Sequence, residues 1–165
     1  MTAPPSIDKS QVLAELRARL ERDLAVAVEA QRRTQSGATH EESRPENDKD
    51  TRALESSYLA RGQAQRVVEL SQALTSVTLL EPRRFEPSSA ISVSALVALD
   101  DGHRTAFYFI APVGGGLELE VDGHAVRILT PQSPLGRALL GQGLGSDLEV
   151  RTPQGLREYS VVALT

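Results

Sequence analysis

The sequence predicts an α+β protein: an N-terminal antiparallel α-helical hairpin of coiled-coil type over residues 1–76, then an antiparallel sheet with one short helix over 77–165. Three observations carry this reading. Two long segments with apolar residues every three or four positions flank a polar, acidic tip at 38–50. After Ser76 the pattern changes to short apolar alternations broken by Gly, Asp and Pro, as in strands joined by tight turns. Ser133-Pro134 opens a brief apolar run that Gly141 closes, which suits a single short helix with Ser as N-cap and Pro at its first position.

The first helix is expected from Asp8 to about Gln35, a stretch without Gly or Pro in which Leu13, Leu16, Leu20, Leu24 and Ala27 form one stripe. Asp8 is a fitting N-cap, with Gln11 able to reach back, and Gly37 a fitting stop. At 1.5 Å per residue the helix would be roughly 40 Å long. A loop is expected from Ser36 to Asn47, with Gly37 and Pro45 as breakers. Helical spacing returns from about Asp48, through Leu54, Tyr58, Ala60, Ala64, Val67, Leu70 and Leu74, with Gly62 as its weak position. Each helix has one apolar side, so packing the two against one another buries both.

In the second half, Ala95–Leu99 and Thr105–Ile110 flank Asp100-Asp101-Gly102. Leu117, Leu119 and Val121 alternate up to Asp122-Gly123, after which Val126 and Ile128 resume, and both Asp-Gly pairs suit hairpin turns. Leu148 and Val150 face Tyr159 and Val161 across Thr152-Pro153-Gln154-Gly155, a further hairpin.

Composition narrows the function. The chain has 165 residues, 40% of them hydrophobic, enough for an ordinary core. It has no cysteine, which excludes disulfides and thiolate metal sites and fits a reducing cytoplasm. Neither a leader-like segment nor a run long enough to span a bilayer is present, so a cytoplasmic chain without membrane contact is expected. The net charge of −4 argues against non-specific nucleic-acid affinity as the main activity, because that affinity needs cations to neutralise phosphates. Acid concentrates between His40 and Asp50, where Glu41, Glu42, Glu46, Asp48 and Asp50 outnumber Arg44 and Lys49. His40, His103 and His124 are too scattered for a metal site, and Gly114-Gly115-Gly116 lacks the Lys-Ser/Thr of a phosphate loop. No Ser, His and Asp stand in the local context of a nucleophilic triad.

The stretch from Ile128 to Gly141, with Ser133-Pro134-Leu135-Gly136-Arg137-Ala138-Leu139-Leu140-Gly141 at its heart and Thr152-Pro153-Gln154-Gly155 behind it, closely resembles the C-terminal signature of the GreA/GreB (Gre) transcription elongation factors. The dipeptide Glu46-Asn47 between the helices resembles the acidic tip of that family. The resemblance implies an FKBP-like C-terminal domain that docks at the rim of the RNA polymerase secondary channel while the hairpin reaches the catalytic centre. Tip carboxylates there would complete a Mg²⁺ site shared with the polymerase, beside the 3′ end of the nascent RNA, and so stimulate cleavage of backtracked RNA. The protein would then be a monomeric accessory factor, with the polymerase as the enzyme.

Carried over residue by residue, the resemblance assigns Glu46 and Glu42 as metal ligands, Glu42, Glu46 and Asp48 as catalytic carboxylates, and Asn47, Gln132, Ser133 and Pro134 as partner contacts. This chain departs from the family at the tip. Three residues before Glu46, where the family has Asp, stands Ser43, and Asp48-Lys49-Asp50 replaces the usual Ala-Glu-Tyr. Gln132 stands where Asp or Asn is common. Two readings therefore remain open, a cleavage stimulator and a channel-binding regulator that does not cleave. A third, a coiled-coil adaptor or chaperone, predicts no polymerase binding.

Overall fold

The structure is a computed structural model that describes residues 6–41 and 49–165, with side chains over 6–37 and 51–165. The fold class is α+β: two long helices, α1 (Lys9–Glu41) and α2 (Lys49–Thr78), precede six strands and one short helix. The strands are β1 (Leu96–Asp100), β2 (Thr105–Ile110), β3 (Glu118–Val121), β4 (His124–Leu129), β5 (Asp147–Thr152) and β6 (Gly155–Leu164), and the short helix, α3 (Pro134–Leu139), lies between β4 and β5. By contacts the chain divides into two compact units, residues 18–75 and the remainder.

Residues 18–75 hold most of both helices. Leu20 and Leu70 are buried there, with Leu24, Ala27, Ala60, Ala64, Val67 and Leu74 half-buried along the expected stripes. The stripe on α2 does not continue to its start, since Leu54 and Tyr58 are 55% and 67% exposed. Nor does α1 stop at Gly37, for the helix runs on to Glu41. A glycine at an exposed helical position costs about 1 kcal/mol relative to Ala, too little to end a long cooperative helix. Ion pairs line the exposed side of α1, with Arg19 on Asp23 at 3.2 Å and Arg32 and Arg33 both on Glu29 at 3.0 and 2.9 Å. Those two guanidiniums hold the Glu29 carboxyl at about 2, well below the usual carboxylate range.

The other unit is built on one six-stranded sheet in the order β3-β4-β2-β1-β6-β5. Four of its pairings are antiparallel, and the expectation of a wholly antiparallel sheet is corrected at the fifth, where β2 and β4 run parallel from Phe107 beside Val126 to Ile110 beside Leu129. After β2 the chain crosses to the sheet edge, forms β3 there, and turns back at Asp122-Gly123, so β4 enters between β3 and β2 pointing as β2 does. Alternating hydrophobicity reveals strands but not their neighbours. Both residues of that turn have positive φ, 52° at Asp122 and 75° at Gly123, the backbone a two-residue type I′ hairpin demands.

The sheet buries two faces. One carries Val97, Leu99, Tyr108, Ile110, Leu148 and Val161, closed by Ile91 and by Leu139 of α3. The alternate positions, Leu96, Ala98, Phe109, Val126 and Ile128, are buried on the opposite face. Ile7, Val12, Leu13 and Leu16, in and just before the first turns of α1, and Val77 at the end of α2 are also buried in this unit. Leu16 lies so close to the Gly114 turn that a Cβ on that glycine would be 3.0 Å from Leu16 Cδ1 and 3.6 Å from Ile128 Cγ2. Among the described residues, no helix is long and apolar enough to cross a membrane.

Candidate functional site

The expected site residues fall into two groups. Glu42, Glu46, Asn47 and Asp48 lie outside the described residues, as does Ser43. Gln132, Ser133 and Pro134 are brought together at the start of α3, and local chemistry fixes their geometry.

Where β4 ends, the Thr130 carbonyl accepts hydrogen bonds from the Ser133 amide at 3.1 Å and from the Ser133 hydroxyl at 2.8 Å. The same hydroxyl oxygen accepts the Gly136 amide at 3.0 Å, which is the N-cap bond, and Ser133 has the extended backbone that a cap requires (φ −66°, ψ 153°). Pro134 follows at the first helical position, where its missing N–H leaves no bond unmade. Gly136 is required by closeness, since a Cβ there would sit 2.0 Å from the Thr130 carbonyl oxygen. Leu139 anchors the helix in the core at 0% exposure, and Gly141 turns the chain out with φ 82°. The Gly141 amide then donates to Ile91 O at 2.9 Å, and the Ile91 amide to Gln142 O at 2.7 Å.

What this scaffold presents outward is Gln132, Pro134 and Arg137, all exposed, while Ser133 is half-buried and spends its hydroxyl on the cap. Pro134 and Arg137 stand three apart on α3 and so share a side of it. Arg137 was not among the expected contacts; it is exposed on the same side of α3 as Pro134. Ser133 acts as the residue that orients its neighbours.

Elsewhere in the unit, two of the charges are held by local hydrogen bonds. Asp101 Oδ1 accepts the amides of His103 at 3.0 Å and Arg104 at 2.9 Å, which lowers its pKa. Arg127 donates to Glu118 at 2.8 Å across the β3–β4 pair, and its pKa is raised chiefly by that bond. Phe107 and His124 meet edge to face at 5.5 Å. Among the described residues, no three His, Asp or Glu side chains are grouped to hold a metal ion.

Residues 111–165 match the family "Transcription elongation factor, GreA/GreB, C-term", a span that includes β3 to β6 and α3. The chain is 30% identical over 102 residues to the transcription elongation factor GreA of Thermotoga maritima, covering 60% of each protein. It is 29% identical over 99 residues to that of Cereibacter sphaeroides, again covering 60% of each. The chain thus spans less than two thirds of these relatives. Among solved structures it is similar to the GreA factor homolog 1 of Thermus thermophilus, with 22% identity, a TM-score of 0.37 and coverage of 94% and 93% of the two chains. It is also similar to a GreA/GreB factor of Nitrosomonas europaea, with 16% identity, a TM-score of 0.37 and coverage of 58% and 78%.

Proposed function

We propose, from the match of residues 111–165 to the GreA/GreB C-terminal family and the similarity to GreA factors, that the chain acts as a Gre-family factor, binding bacterial RNA polymerase at the secondary channel and stimulating cleavage of backtracked nascent RNA. The observation that carries this is the pairing of that domain with an acidic segment, Glu41 to Asp50, between two helices of 33 and 30 residues.

In this reading Gln132, Pro134 and Arg137 meet the polymerase, held by the Ser133 cap, and the helix pair carries Glu46 and Asn47 toward the catalytic centre. Glu46, with Glu42 or Asp48, is the donor set for a Mg²⁺ shared with the polymerase, and carboxylate oxygen suits that hard cation. When bound, the ion would supply Lewis-acid activation of a water for phosphodiester hydrolysis. The remaining acids of the segment contribute negative charge that helps to hold a cation near the RNA 3′ end. The polymerase stays the enzyme and this chain the accessory.

A second reading is favoured by one residue, Ser43. A hydroxyl is a far weaker ligand for Mg²⁺ than the carboxylate the family pattern has there. The protein then occupies the channel and regulates transcription without cleavage. One assay separates the two. Stalled elongation complexes are incubated with wild type, Glu46→Ala and Ser43→Asp. Release of short 3′ RNA fragments by wild type, lost in Glu46→Ala, supports the first reading. Silence from wild type with activity in Ser43→Asp supports the second.

A further inference from the structure

On the sheet face opposite the α3 cluster, between the first turn of α1 and the segment after α2, lies a cavity of about 780 Å³. That is within the size range of small-molecule sites, roughly 300–1,000 Å³. Its floor is apolar, made by Leu96, Ala98, Phe107 and Ala163 of β1, β2 and β6. Its rim is cationic, with Lys9, Arg83 and Arg84. The acidic side chain in the lining, Asp8, is already used, since its Oδ1 accepts the Ser10 amide at 2.8 Å as the cap of α1. Among the described residues, no carboxylate forms an ion pair with any of the three cations.

These cations are gathered rather than dispersed. Lys9 Nζ donates to the Arg83 carbonyl and, at 3.3 Å, to the Ser94 carbonyl, and sits 4.8 Å from the centre of the Phe85 ring. The Arg83 guanidinium lies 5.5 Å from the same ring and gives one bond to Ser92 Oγ at 3.2 Å. Burial, and after it repulsion from Arg83, lowers the Lys9 pKa to about 8. A positive region that its own surroundings penalise is one that an anion stabilises. Guanidinium groups offer the forked donors that match phosphate oxygens, and among the described residues the only bond made by those of Arg83 and Arg84 is the one from Arg83 to Ser92 Oγ.

We propose that this cavity binds a ligand of the nucleotide class, with phosphates on Arg83 and Arg84 and the planar base on the Leu96–Ala98–Phe107–Ala163 floor. Aromatic and aliphatic floors accept any base, so the site selects for phosphate plus a flat apolar group rather than for one nucleobase. The proposal is independent of the polymerase reading, because it uses neither the tip nor α3.

The test is an amide-resolved NMR titration of the full-length, isotope-labelled protein with ATP, alongside adenosine and tripolyphosphate at matched ionic strength. ATP is expected to give saturable shifts at residues 8–10, 83–85, 96–98 and 163–165. Tripolyphosphate should bind about tenfold more weakly and adenosine more weakly still. Arg84→Gln, at an exposed position, should weaken ATP about tenfold without altering the melting temperature. The proposal is overturned if ATP gives no saturable shifts at millimolar concentration, or if the shifts fall only on the arginines of residues 18–75. Tripolyphosphate as tight as ATP would remove the base from the site, and adenosine as tight as ATP would remove the phosphate; either outcome refutes the nucleotide assignment.

Discussion

Gly136 approaches Thr130 so closely that its missing side chain is a structural feature: a Cβ would lie 2.0 Å from the Thr130 carbonyl oxygen, itself bonded to the Ser133 hydroxyl at 2.8 Å. The obstacle is backbone, which cannot swing aside as a long side chain can. Gly136→Ala should therefore push α3 away from β4 and cost roughly 1–3 kcal/mol, the usual penalty of overpacking. Thermal unfolding of the variant beside wild type measures it, and an unchanged melting temperature would show that the loop yields freely.

Ser133 supports the same corner through its cap. Ser133→Ala removes an acceptor from the Gly136 amide and a donor to Thr130 O, and should cost about 1 kcal/mol. Ser133→Asp keeps the capping oxygen but not the donor to Thr130 O, so it should recover only part of that loss. In a polymerase-binding assay both variants should weaken docking in proportion to their loss of stability, because Ser133 acts by positioning Gln132 and Pro134.

Leu139 ties α3 to the sheet from inside the Ile91–Tyr108–Leu148 cluster. Truncation to Ala leaves a cavity in a fully buried site and should cost about 2–5 kcal/mol. Denaturant unfolding should show an earlier midpoint with an unchanged slope.

The α3 corner and the sheet faces show how much of this architecture is legible in sequence. Ser133-Pro134 and Gly141 bound the short helix, Asp122-Gly123 marks the type I′ turn, and the strand spans follow from alternation. Each is a local signal, with backbone geometry dictated by one or two residues. What is not local is not legible. Strand neighbours depend on the whole sheet, so the parallel β2–β4 pair left no trace. Gly37 carries the same letter as a helix stop, yet only cooperativity with the flanking turns decides that α1 continues. Ser94, fully buried with φ 74°, accepts the Arg83 amide at 3.0 Å and organises a segment for which no periodicity exists. In the candidate site, Ser133 and Pro134 could be read from the motif, whereas Arg137 emerges only from its side of α3.

Lys9 makes stability depend on pH in the alkaline range. Its pKa falls from 10.5 to about 8 on folding, so between those values the unfolded chain binds a proton that the folded chain has released. Stability from this group is fully present above pH 10.5 and is lost as pH falls toward 8. Lys9→Met should remove that part of the slope, read as the difference between wild-type and variant unfolding curves from pH 7.5 to 10.5.

Glu29 acts at the acid end. Its carboxyl is held at about 2 against an ordinary 4.5 by Arg32 and then Arg33, so its contribution is present above pH 4.5 and is lost as pH falls toward 2. Both guanidiniums are exposed and the carboxylate is only half-buried, so added salt should shrink the effect, and Glu29→Gln should abolish it. Helicity followed by circular dichroism through an acid titration, at low and high salt, checks both.

Binding of the purified full-length chain to bacterial RNA polymerase core enzyme tests the central claim most directly, because both the cleaving and the non-cleaving readings require it. Fluorescence anisotropy should show saturable binding that weakens about tenfold with Arg137→Glu, which inverts charge on the outward side of α3 while leaving the cap bonds in place. Wild type that stays free at every polymerase concentration, while folded by circular dichroism, would contradict the account and return the chain to the adaptor class.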